Sequence, residues 1–66
     1  MKPSQKKVIL IYIEALLGAS LKTEKYYQKN IAKRYGVDRT YVTHIYNKSK
    51  YSWITDYVDQ KILDKN

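Results

Sequence analysis

The sequence predicts an all-α protein, a single small domain of four helices spanning roughly residues 5–17, 24–35, 39–48 and 56–63. Three observations point there. Residues 28–47, QKNIAKRYGVDRTYVTHIYN, read as two short helices around one tight turn. The β-branched run at residues 8–13, VILIYI, could pass for a strand, but it continues into the good helix formers Glu14, Ala15, Leu16 and Leu17. The two-helix unit also needs a neighbouring helix to cover its apolar face. A chain of 66 residues makes one domain, and at this length only roughly 60% of the unfolded surface is buried, so stability is marginal.

The elements follow in order. Residues 1–3 read as a loose tail, with Ser4 the N-cap of a helix from Gln5 to about Leu17. On that helix Ile9, Tyr12, Ile13 and Leu16 share one stripe. Leu10 and Ile11 form a second apolar surface flanking Glu14, which either other elements or a second subunit must cover. Gly18 is expected to end the helix, and residues 19–22 to form the connection. Thr23 is the best cap for the second helix, Glu24 to Tyr35, whose inner stripe is Tyr27, Ile31 and Tyr35. Lys25, Lys29 and Lys33 line its opposite face. The third helix runs from Arg39 to Asn47 or Lys48, followed by a basic, irregular connector to Ser52. Trp53 and Ile54 are expected to fold back, with Trp53 as a core plug. Thr55 caps a last helix in which Ile54, Val58 and Ile62 face inward and Leu63 lies opposite.

Within the two-helix unit each small or apolar residue has a geometric task. Ile31, Val42 and Ile45 can face a common core, and Ala32 is small where two helices cross. Gly36 can take positive φ at the end of the first helix, and Asp38 is a strong N-cap for the second. The pattern IAxxYGVxxxYVxxI resembles the helix-turn-helix of phage, plasmid and bacterial transcription regulators over about a third of the chain. Residues 44–54, HIYNKSKYSWI, also resemble small phage-type modules in which a Trp follows the recognition helix. Tyr35 stands where Leu is usual in that family. The resemblance implies that the second helix of the unit enters the DNA major groove while the first crosses the phosphates.

Charge agrees with this reading. The net charge is +7 and the pI about 9.7. Residues 22–50 hold eight basic side chains (Lys22, Lys25, Lys29, Lys33, Arg34, Arg39, Lys48, Lys50) against Glu24 and Asp38 alone. A surplus of merely solvated lysines would have no reason to gather there. The absence of cysteine removes disulfides and thiolate metal sites, a lone histidine forms no cluster, and no nucleophile–base pair or glycine-rich phosphate loop stands out. No enzyme activity, metal, cofactor or small-molecule ligand is therefore expected. The apolar run at 8–13 is too short to cross a bilayer and is interrupted by Glu14, so the expectation is a cytoplasmic protein with no membrane partner.

The expected base-reading residues are Arg39, Thr40, Thr43, His44 and Asn47, the polar side of the third helix. Asn47 suits adenine, Arg39 suits guanine or a phosphate, and threonine methyls suit thymine. The expected backbone contacts are Lys29, Lys33, Tyr41, Tyr46, Lys48, Lys50 and Tyr51. Leu10, Ile11 and Leu63 are the expected subunit contacts of a homodimer reading an inverted repeat. The resulting expectation is a sequence-specific binder of double-stranded DNA, a small repressor of a virus or mobile element. The rivals are a co-regulator docking on a larger host factor and an accessory DNA-bending or recombination factor.

Overall fold

The computed structural model describes residues 3–64. Over these it is all-α: α1 (Pro3–Leu21), a 3₁₀ turn (Glu24–Tyr26), α2 (Gln28–Tyr35), α3 (Arg39–Tyr46) and α4 (Ser52–Asp64). Helix α1 is the spine. It touches every other element, whereas α2 and α4 do not meet. The core joins Val8, Ile11, Tyr12 and Ala15 of α1 to Ile31 and Ala32 of α2, Val42 and Ile45 of α3, and Ile54 and Val58 of α4.

Helix α1 is longer than the sequence suggests at both ends. It already contains Pro3 and Ser4, so Ser4 is not its cap; Pro3 suits the first turn, where its missing N–H has no partner to lose. Of the expected tail, Met1 and Lys2 lie outside the described residues. Gly18 does not end the helix. It sits inside it, where the 3₁₀ turn passes so close that a Cβ would strike the Tyr26 backbone. The end comes at Lys22, in the left-handed region at φ 55°, whose N–H donates to the Gly18 carbonyl at 2.9 Å. The buried face is also rotated from the expected stripe. Ile11 is fully buried, Ile13 is exposed, and Ile9 and Leu16 are half-buried. VILIYI is apolar all round, so periodicity alone cannot choose its inner side. The subunit contact expected at Leu10 and Ile11 is thus corrected: Ile11 is core, and Leu10 alone remains at the surface.

The second expected helix is broken in two. Thr23 opens only the 3₁₀ turn, and at Tyr27 the chain is extended (φ −63°, ψ 142°) before α2 begins. Asn30 Nδ2 donates back to the Glu24 carbonyl at 2.7 Å and fastens the turn to α2. Tyr27 is exposed rather than part of an inner stripe. Helix α3 ends at Tyr46, slightly short of the expected boundary. Helix α4 starts at Ser52, earlier than expected, because the Tyr51 carbonyl accepts from Ile54 N (2.9 Å) and Thr55 N (3.1 Å). Thr55 is therefore no cap; it is buried, and its hydroxyl donates to the Ser52 carbonyl at 3.1 Å. With Ile54, Thr55 and Val58 turned inward, Trp53 falls on the outer face and is 64% exposed. The expectation of a core plug is overturned.

Candidate nucleic-acid interface

The unit α2–turn–α3 is built from two helix ends of the same design. In α2 the N–H of Val37 donates to the Ala32 carbonyl (2.9 Å) and that of Gly36 to Lys33 (3.3 Å), with Gly36 left-handed at φ 67°. This six-to-one, five-to-two pattern is a Schellman closure. Helix α3 closes identically: Ser49 N donates to His44 O (2.9 Å) and Lys48 N to Ile45 O (3.2 Å), with Lys48 at φ 64°. Asp38 stands at the N-cap of α3 as expected, but its side chain makes no capping bond. The start of α3 rests on the Asp38 carbonyl, which accepts from Tyr41 N at 3.0 Å.

Val42 and Ile45 anchor α3 from beneath, and its opposite side is polar. Arg39, Thr40 and Asn47 are exposed; Thr43 and His44 are half-buried. Thr43 is not free: its hydroxyl donates to Gln28 Oε1 at 2.7 Å, tying α3 to the first residue of α2. Gln28 is a participant that the sequence reading missed. Its oxygen holds Thr43, and the residue also lines a cleft with Lys29, Arg39 and Tyr46.

The structure divides the expected backbone contacts. Lys29, Arg39 and Tyr46 come together around a cleft of about 410 Å³, with Gln28, Tyr26 and Tyr27 on its rim. Lys33 instead lines a separate depression with Lys25, Arg34 and Asn30. Tyr41 and Tyr51 lie beyond α3's other flank, ring centroids 6.0 Å apart and tilted by 53°. Burial and the neighbouring Tyr51 hydroxyl raise the Tyr41 pKa.

Two basic residues are engaged elsewhere. Arg34 pairs with Glu14 of α1 through Nη2 and Nε, Glu14 also accepts from the Tyr35 hydroxyl, and the same Arg34 Nη2 reaches the Lys25 carbonyl at 3.1 Å. Burial works against the Glu14 charge, but hydrogen bonds from Tyr35 and Arg34 outweigh it and hold the carboxyl below its usual range. Tyr35 thus uses its extra hydroxyl to join α2 to α1. Lys48 bonds Asp56 (2.8 Å) and Asp59 of α4 and sits over the Tyr12 ring at 5.8 Å. These hydrogen bonds raise its pKa and fix it as a cation. Lys48 is therefore a clip between α3 and α4, and any DNA phosphate would compete with two carboxylates for it. The clip also accounts for a lysine where Gly36's counterpart would ordinarily be glycine: the bonds to α4 offset the left-handed backbone. Lys29, Lys33, Arg39 and Lys50 have no ion pair among the described residues.

Compared with known proteins, the chain matches no family model, no curated protein and no solved structure. Among the described residues no helix is long and apolar enough to cross a membrane.

Proposed function

We propose that this chain binds double-stranded DNA sequence-specifically, with α3 in the major groove, and acts as a small transcriptional repressor of a virus or mobile element. One observation carries the reading. The row Arg39, Thr40, Thr43 and His44, with Asn47 at the C-cap, lies on a short helix anchored by Val42 and Ile45, beside Lys29 and Lys50, which form no ion pair among the described residues. Arg39 and Asn47 are the base readers, each able to form paired hydrogen bonds with a purine edge. Thr43, held by Gln28, offers its methyl to thymine. Lys29, with the Gln28 amide and the Tyr46 hydroxyl, holds the phosphate that crosses the cleft at the start of α3; Lys50, Tyr41 and Tyr51 flank the other side. Repression follows as the simplest action of so small a binder, by occupying a promoter.

Selection of bound sequences from a random duplex pool tests the proposal, followed by titration of the winner against salt. Four to six phosphate contacts give a log–log slope of about −4 to −5. Asn47→Ala should cost roughly 1–3 kcal/mol at the selected site and relax preference at one base pair. Lys29→Ala should weaken all sequences alike and flatten the slope by about one. Enrichment of no sequence, or identical behaviour of the two variants, sinks the assignment.

A further inference from the structure

We propose that the α1–α4 face is a self-association surface, on which Trp53 of one copy fills the apolar groove of a second. Two adjoining grooves lie there. One, of about 280 Å³, is lined by Ile9, Ile13, Tyr57, Val58, Lys61 and Ile62. The other, of about 240 Å³, shares Ile9 and Tyr57 and ends at Trp53. The two form one continuous surface with a large knob at one end and an apolar hollow at the other.

Area favours a second copy of this chain as the occupant. Trp53 is 64% exposed, Tyr57 57% and Ile62 47%. With aromatic side chains worth about 150–250 Å² each, and Ile9 and Ile13 added, the open apolar area is on the order of 450 Å². A stable dimer covers about 800 Å² per partner, of which a little over half is apolar. The patch supplies that share on its own. It is also self-complementary, as a two-fold interface must be. Antiparallel pairing of two α4 helices about Tyr57 sets Trp53, four residues before the axis, against Lys61 and Ile62, four and five residues after it. Lys61 already lies over the Tyr57 ring at 5.4 Å and so stands ready to cover an indole face. Helix α2 does not touch α4, so pairing here leaves Lys29 and its cleft open. Leu63 lines neither groove.

Trp53 is the sole tryptophan and reports on its own burial. Sedimentation velocity and tryptophan emission of the intact chain are followed over rising concentration. The expected result is a monomer–dimer equilibrium with a matching blue shift. Trp53→Asp (read by sedimentation) and Tyr57→Asp should raise the dimer dissociation constant by about tenfold or more, with helix content unchanged. Leu63→Asp, equally exposed, should leave it within about threefold. A chain monomeric at all concentrations overturns the proposal, as does a dimer indifferent to Trp53→Asp. So does a blue shift that appears only with phosphatidylglycerol vesicles, which would assign the face to a membrane surface. A monomer that still selects a duplex half-site refutes only this proposal; a dimer that selects no sequence refutes only the DNA-binding one.

Discussion

Replacing Gly18 by alanine separates two readings of the same residue by the sign of the effect. If Gly18 were an ordinary mid-helix glycine, alanine would stabilise α1 by about 0.5–1 kcal/mol through lower chain entropy. The structure predicts the reverse. A Cβ there would overlap the Tyr26 carbonyl oxygen and lie 3.1 Å from the carbonyl carbon and 3.2 Å from the Tyr26 Cβ. None of these atoms ends a flexible side chain, so no rotamer change relieves the overlap. Overpacking of this kind costs about 1–3 kcal/mol, and after the helix gain the net loss is up to about 2.5 kcal/mol. In so small a domain each kcal/mol moves Tm by roughly 4–8 °C. Urea midpoints and thermal melts of the two proteins measure it directly. A Gly18→Ala protein that melts higher than the parent would show that the 3₁₀ turn does not press on α1.

Other perturbations have equally definite signs. Lys22→Gly places glycine at the left-handed residue that closes α1 and should stabilise by roughly 0.5–1 kcal/mol, read as a raised urea midpoint. Tyr12 is buried at 3% exposure and donates to Asp59 Oδ1 at 2.6 Å. Burial, then the bond to Asp59, push its pKa up to about 12. A pKa raised on folding adds stability that is whole below pH 10 and lost as pH climbs through 12, up to about 2.7 kcal/mol for two units. Urea melts from pH 9 to 12 should show that fall, and Tyr12→Phe should reduce it. On the acid side, the lowered pKa values of Glu14 and Asp59 contribute stability present above their unfolded values and lost as pH falls through the folded ones. Glu14→Gln should therefore shallow the acid unfolding curve.

The helices were legible where the sequence is contrasted and illegible where it is uniform. Gly36, with Ala32, Ile31, Val42 and Ile45 around it, marks a turn and a crossing that no other arrangement of these residue types would favour, and it stands in the structure as read. In α1 the apolar residues run together, so the inner face depended on which neighbours needed small side chains, and Ala15 and Gly18 supplied them. The start of α4 was hidden because Tyr51 and Lys48 adopt positive φ without being glycine or asparagine. That shifted Trp53 from the inside to the outside. At the interface, the polar row of α3 follows from helical spacing alone. The loss of Lys48 to Asp56 and Asp59, and the part played by Gln28, needed the packing of α4 and α2 against α3.

The Lys48 clip bears on how two copies would read DNA. If α4 pairs the copies and α3 reads the half-sites, the angle between α3 and α4 within one chain sets the separation of the two recognition helices. On an inverted repeat that separation must be close to one helical turn, about 34 Å. Ile45 and Ile54 pack within the core, and the bonds from Lys48 to Asp56 and Asp59 add a second tie at the α3–α4 corner. Lys48→Met keeps an unbranched apolar side chain and removes both bonds and the cation over the Tyr12 ring. The parent should therefore prefer one spacer length between half-sites. The variant, checked as folded by circular dichroism, should bind spacers one base pair longer or shorter with a smaller penalty, while its affinity for an isolated half-site stays nearly the same. Because Lys48 is neutralised in the fold, its loss should leave the salt slope unchanged, whereas a true phosphate contact would flatten it by about one. An unchanged spacer profile with a flattened slope would return Lys48 to the DNA backbone and dissolve the clip.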